Sequence, residues 1–143
     1  MTDATRATLA KEELQRFMDA SPFIRSTGMQ IESADPQTET LTVRMPLRAE
    51  FERGAGTGQF HGGPIAALID TAGCFAVMML VGHGVPTINF SSDYLRPAVN
   101  TGLKAVAKVR RVGRTVGVVD VDILDDRDKL VAVGRGTFGT NAG

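Results

Sequence analysis

The sequence holds a single cysteine in 143 residues. That excludes an internal disulfide and a multi-cysteine zinc site. Histidine is almost as scarce, with two copies, and no acidic cluster accompanies His61, so no metal-ligand set is predicted. Net charge is also missing, since 16 Lys and Arg balance 16 Asp and Glu. This argues against a whole-chain polycation held by nucleic-acid phosphates. Aromatics are only 6%, a poor basis for a base-stacking platform. Met1 to Glu13 has no apolar stretch, so no signal peptide is read and a reducing cytoplasm is expected. What is present is ordinary for a folded domain: 43% hydrophobic and 22% charged residues. A chain of this length fits one domain that buries about two-thirds of its unfolded surface. Glycine is the surplus, 16 residues against a usual share of ~7%.

The neutral sum hides an uneven distribution. Gly54 to Ser92 contains one charged side chain, Asp70, in 39 residues, where average usage would place about eight or nine. Tyr94 to Val119 then carries six bases (Arg96, Lys104, Lys108, Arg110, Arg111 and Arg114) and no acid. Asp120 to Asp128 follows with five acids and one base.

Hydrophobic spacing predicts a short amphipathic helix at about 9–20, ended by Ser21-Pro22. Met29–Ser33 and Thr40–Leu47 alternate as strands across an Asp35-Pro36 turn and form a hairpin. Gly54–Gly63 is loop. Pro64–Val81 is apolar on nearly all sides, with Pro64 suited to the first helical position and Gly82 to the stop. Its length reaches the membrane-spanning threshold. Asp70 near its middle and the amphipathic strands around it favour a helix enclosed by protein instead. Four strands follow: Val85–Tyr94, Leu103–Val112, Val116–Leu124 and Leu130–Phe138. Short connections make these antiparallel, and the economical packing is a curved sheet around the buried helix. No internal repeat or second domain is evident.

Asp70 is the sharpest feature of the sequence. Its helical neighbours Ala66, Ala67, Gly73 and Cys74 offer it no partner. A buried carboxylate needs one, so a group outside the helix must meet it. A structural Asp and a catalytic Asp both fit. His61-Gly62-Gly63 opens the same helix, where free N–H groups suit a developing oxyanion and glycine admits a close carbonyl. Asp70 lies seven residues after Gly63, on the same face but ~10 Å along the axis. One carbonyl cannot reach both, so joint action requires Asp70 from a second chain in a two-fold dimer.

The run His61-Gly62-Gly63-Pro64-Ile65-Ala66-Ala67-Leu68-Ile69-Asp70 resembles the HGG-x4-L-x-D signature of hotdog-fold acyl-CoA thioesterases of the phenylacetate-degradation (PaaI-like) group. Thr87-Ile88-Asn89-Phe90, Tyr94-Leu95-Arg96-Pro97 and Val109-Arg110-Arg111-Val112-Gly113-Arg114 extend the likeness, as do Gly28-Met29 and Met45-Pro46. The resemblance implies an α+β hotdog fold, with a curved antiparallel sheet wrapped around a helix at about 63–81, as one domain over 1–143. It implies hydrolysis of an aryl or medium-chain acyl-CoA by homodimers with sites across the subunit interface, paired into tetramers. The charge balance and Asp70 within the apolar helix add the expectation of neither nucleic acid nor membrane as partner. Asp70 maps to the general base or nucleophile and Gly62 N–H to the carbonyl-polarising donor. His61 shapes that end of the site, and Thr87 maps to the group that places the water. Gly63 belongs to the substrate-binding turn. No cofactor is implied, because coenzyme A is part of the substrate.

The basic stretch suits coenzyme A phosphates, with Arg96, Arg111 and Arg114 as favoured contacts. A solvated strand face paired with Asp120 and Asp122 explains the same charges. One departure stands out: the family often carries Asn six residues before the motif His, where this chain has Ala55. Thr57, Gln59 or water are the candidate replacements. That loss motivates a second reading, a non-hydrolytic acyl-CoA-binding hotdog protein. A hotdog hydratase is a third, disfavoured because no His follows Asp70 until His83. Cys74 is read as packing, His83 as a loop residue, and Phe75, Met78 and Met79 as core or acyl-pocket lining.

Overall fold

The structure, a computed structural model, describes residues 7–141. The extreme ends of the expected 1–143 domain lie outside the described residues. Two short helices, α1 (Lys11–Ala20) and α2 (Pro22–Thr27), precede a hairpin of β1 (Gln30–Asp35) and β2 (Thr40–Met45). A 3-10 turn at Ala49–Phe51 leads into a glycine-rich loop and the long helix α3 (Gly62–Val81). Strands β3 (Thr87–Tyr94), β4 (Leu103–Val112), β5 (Val116–Leu124) and β6 (Leu130–Gly139) complete the chain. All pairings are antiparallel, in the order β1-β2-β4-β5-β6-β3.

Alternation along the strands decides which face meets α3. Leu103, Ala105, Ala107 and Val109 of β4 are buried, as are Gly117, Val119, Val121 and Ile123 of β5. Small residues let the helix approach the sheet. A Cβ on Gly134 would stand 2.5 Å from Ile69 Cγ2 and 2.6 Å from Ser91 O, closer than a methyl group tolerates. Leu68, Ala72, Ala76, Val77 and Met79 of α3 are fully covered. Helix α3 is long and apolar enough to cross a membrane by length and composition. In the fold it is the core helix, with twelve of its residues buried against the sheet. This is the hotdog arrangement, a curved sheet wrapped around one helix.

Three sequence expectations need correction. Helix α3 begins at Gly62, not at Pro64 or 63, because His61 caps it from outside. Pro64 is therefore its third residue rather than its first. Ser21-Pro22 does end α1, but the pair also starts α2, with Ser21 as cap and Pro22 in the first turn. The alternation of β4 breaks at a register shift between Val109 and Arg111, which leaves both Arg110 and Arg111 exposed.

Candidate active site

The helix N-terminus is held from three sides. His61 N donates to Phe51 O at 2.7 Å, and Phe60 N donates to Ala98 O at 2.9 Å. The Phe51 and Phe60 rings stack with centroids 6.2 Å apart. The His61 ring folds over the first turn, where its Nδ1 accepts from Gly63 N at 3.1 Å. A neutral ring accepting at Nδ1 carries its proton on Nε2. Gly63 thus spends its donor on the cap. Gly62, the first helical residue, keeps an N–H with no helical acceptor. Its carbonyl accepts from Tyr94 Oη at 2.9 Å, a contact that sequence spacing did not expose. Tyr94 is the only tyrosine in the sequence, a weak signal that was available.

Gly62 faces a cleft of about 350 Å³ whose lining includes Arg53, Gln59, Tyr94, Leu95 and Arg96. Of the candidate stand-ins for the Asn absent at Ala55, Thr57 is committed elsewhere. Its hydroxyl donates to Gly54 O at 2.7 Å and accepts from Gln59 N at 3.3 Å. Gln59 lines the cleft.

Asp70 lies two turns along α3, half-buried, and finds its partner on β3. Thr87 Oγ1 donates to Asp70 Oδ1 at 2.7 Å. Among the described residues Oδ2 accepts no hydrogen bond, so it remains available as a proton acceptor. The pair opens into a different cavity, about 420 Å³, bordered by Phe23, Ile24, Ala67, Cys74 and Phe75. The Cys74 thiol is pushed up to about 12, first by burial and then by the nearby Asp70 charge. It donates to Val85 O at 3.4 Å and stays neutral, a packing group. Sequence reading missed Phe23 and Ile24 at this cavity, because a six-residue helix is too short to show periodicity.

The basic residues do not form one cluster. Arg96 borders both the Gly62 cleft and a neighbouring cavity of about 480 Å³ of mixed charge, which Arg127, Lys129, Asp125 and Asp126 also line. Its backbone N donates to Val131 O at 3.2 Å, which fixes it near the Leu103 end of β4. Arg111 and Arg114 stand at the other end, roughly 25 Å away at ~3.3 Å per residue. Asp120 meets Arg135 at 2.6 Å and Arg110 at 3.5 Å. The Arg135 hydrogen bond, and then the two positive charges, hold its carboxyl below the usual range. Among the described residues no group of three His, Cys, Asp or Glu is placed to hold a metal ion.

A curved sheet around one helix, with a glycine N–H at the helix N-terminus and a threonine-braced carboxylate two turns on, is the architecture of a hotdog protein. The family model of the thioesterase superfamily matches residues 57–132, and the chain belongs to that superfamily. A provisionally named esterase of Halobacterium salinarum is 37% identical over 136 residues, covering 87% of this chain and 88% of its own length. The Escherichia coli acyl-coenzyme A thioesterase PaaI is 32% identical over 113 residues, covering 78% of this chain and 77% of PaaI. The solved structure of E. coli PaaI superposes with a TM-score of 0.79 at 29% identity, over 90% of each chain. A solved thioesterase-superfamily protein reaches a TM-score of 0.84 at 33% identity, over 90% of this chain and 96% of its own.

Proposed function

We propose that this protein is an acyl-CoA thioesterase whose active site joins Gly62 of one subunit to Asp70 and Thr87 of another. The observation that carries this reading is the Thr87–Asp70 hydrogen bond. It braces one carboxylate oxygen and leaves the other free beside an apolar cavity. In the proposed mechanism the thioester carbonyl oxygen rests on Gly62 N–H, where the helix dipole favours developing negative charge. Asp70 Oδ2 takes a proton from water as the water oxygen attacks the carbonyl carbon. The tetrahedral intermediate collapses, the C–S bond breaks, and coenzyme A leaves with the electron pair as thiolate. A thiolate leaves without a strong general acid. Gln59 supplies the side-chain amide that Ala55 lacks, and His61 and Gly63 hold the turn in shape. Arg96, at the border of the Gly62 cleft, is the proposed contact for a coenzyme A phosphate.

The separation of the two groups along α3 supports a site shared in a dimer. Gly62 and Asp70 stand about 12 Å apart along one helix and open into separate cavities. Strand β3 pairs with β6 on one side, and its other edge is free among the described residues. It carries Ile88 at 59% exposure. Gly62 touches one end of β3 through Tyr94, and Asp70 touches the other through Thr87. A two-fold copy pairing along this edge with antiparallel helices brings each Gly62 to the other chain's Asp70. Pairing of such dimers gives the proposed tetramer.

The test is thiol release from a panel of acetyl- to dodecanoyl-, benzoyl- and phenylacetyl-CoA. Saturable turnover of apolar acyl esters is expected. Saturable binding with no thiol release anywhere on the panel would replace the hydrolytic reading with the acyl-CoA-binding one.

A further inference from the structure

The cavity holding Asp70 and Thr87 is walled in part by α2, a piece of chain outside the helix-and-sheet core. Its volume of about 420 Å³ falls within the ~300–1,000 Å³ of small-molecule sites. Ile24, Ala67 and Phe75 make the wall apolar, together with the neutral Cys74 thiol. Ser21, also on the lining, spends its hydroxyl oxygen on Ile24 N at 3.3 Å.

Phe23 is the unexplained member. At 60% exposure it is the most exposed large apolar side chain of the described residues. Leaving that area in water forgoes stabilisation. The backbone carrying it is nonetheless fixed. Gly28 closes α2 in the left-handed region at φ 74°. A Cβ there would meet the Arg48 guanidinium at 2.6 Å. The buried Thr27 hydroxyl donates to Ile24 O and accepts from Met29 N at 3.2 Å. Helix α1 is anchored by the fully buried Leu14 and Met18 and by Gln15 Oε1, which accepts from Ile31 N at 2.7 Å. A held backbone therefore presents an exposed ring at the mouth of a cavity that ends on the Thr87–Asp70 pair.

We infer that Phe23 is a specificity-determining wall of the acyl chamber. The apolar acyl group lies against Phe23 and Phe75, with its carbonyl carbon toward Asp70, and the Phe23 ring sets the chain length accepted. This rests on the thioesterase reading above and adds to it the element that selects the acyl group.

The experiment compares wild type, Phe23→Ala and Phe17→Ala on straight-chain esters from acetyl- to dodecanoyl-CoA. Phe17, on α1, is also exposed, at 45%, and borders none of the three cavities described. Phe23→Ala is expected to move the kcat/KM optimum to longer chains. The ratio between long and short esters should change on the order of 10-fold, as a few methylenes of pocket do. Phe17→Ala should keep the wild-type profile. An unchanged profile in Phe23→Ala, or one equal loss across the series, would overturn the assignment. Should wild type release no thiol, the hydrolytic reading fails separately. The same series measured by calorimetric binding then decides the wall: a shifted affinity optimum supports it, and no shift or no binding overturns it.

Discussion

At Asp70, a residue with no helical partner acquires one from a strand seventeen positions later. The Thr87 hydroxyl fixes Oδ1, so the carboxylate is aimed rather than merely tolerated. Asp70→Asn keeps an oxygen for that bond but cannot accept a proton. It is expected to fold normally by circular dichroism and to lose about 10²–10⁴-fold in kcat, the usual worth of a general base. Wild-type-like thiol release from this variant would remove Asp70 from the chemistry. Cys74 allows a complementary check of the local electrostatics. Burial and the Asp70 charge push its thiol up to about 12, so at pH 8 only about one thiol in 10⁴ is ionised. Because the thiolate is the nucleophile, iodoacetamide should label native protein slowly at pH 8 and urea-unfolded protein rapidly, as read by mass spectrometry. The native rate should climb as pH rises toward the raised value. Equal labelling of both states would mean that Cys74 is neither buried nor close to a carboxylate.

Elements were legible where spacing is repetitive. The bounds of β4 and β5 could be read to the residue, because one face of each is buried and apolar, but the break in β4 after Val109 could not. Helix α3 was legible from its apolar length, broken only at Asp70-Thr71, and its terminal Gly82, which takes φ 84°. Its first turn was not, because a histidine ring acting as a cap has no sequence mark comparable to Ser or Asp. Helix α2 escaped for another reason: six residues give no periodicity, and Ser21-Pro22 reads equally well as an end or a beginning. The scatter of Arg96 from Arg111 and Arg114 was also hidden. Neighbours in a charge run come to lie near opposite ends of β4 only when the pairing of the strands is known. Close approach of helix and sheet is likewise a property of the folded pair. Gly134 meets Ile69 from α3 and the Ser91 carbonyl from β3 at once. Gly134→Ala is therefore expected to destabilise by about 1–3 kcal/mol through overpacking, seen as a Tm lowered by several degrees in thermal melts. A melt unchanged within a degree would mean that the sheet can open there at no cost.

The whole molecule carries the strongest consequence, because the proposed site is incomplete in one chain. Gly62 and Asp70 share a helix but border different cavities, and the edge of β3 that is free among the described residues lies beside both of their contacts. A site shared between subunits makes a prediction that a site within one chain cannot. Consider two inactive variants, Asp70→Asn and Gly62→Val. At the second, the nearest atoms an added Cβ meets are those of the Tyr94 side chain, at 3.4 Å, and the methyl groups of valine are expected to occupy the place of the substrate carbonyl. In a mixed dimer with shared sites, one site collects both defects and the other collects neither. Equal coexpression should then restore about a quarter of wild-type kcat, half the dimers being mixed and each mixed dimer having one intact site. If each site lay within one chain, every site would keep one defect and no activity would return. Size-exclusion chromatography with light scattering on the same preparation checks that dimers form, native mass spectrometry resolves the mixed species by subunit mass, and Ile88→Asp on the β3 edge provides the opposing control. A charge placed there should block strand pairing and yield monomers that retain the fold by circular dichroism but release no thiol.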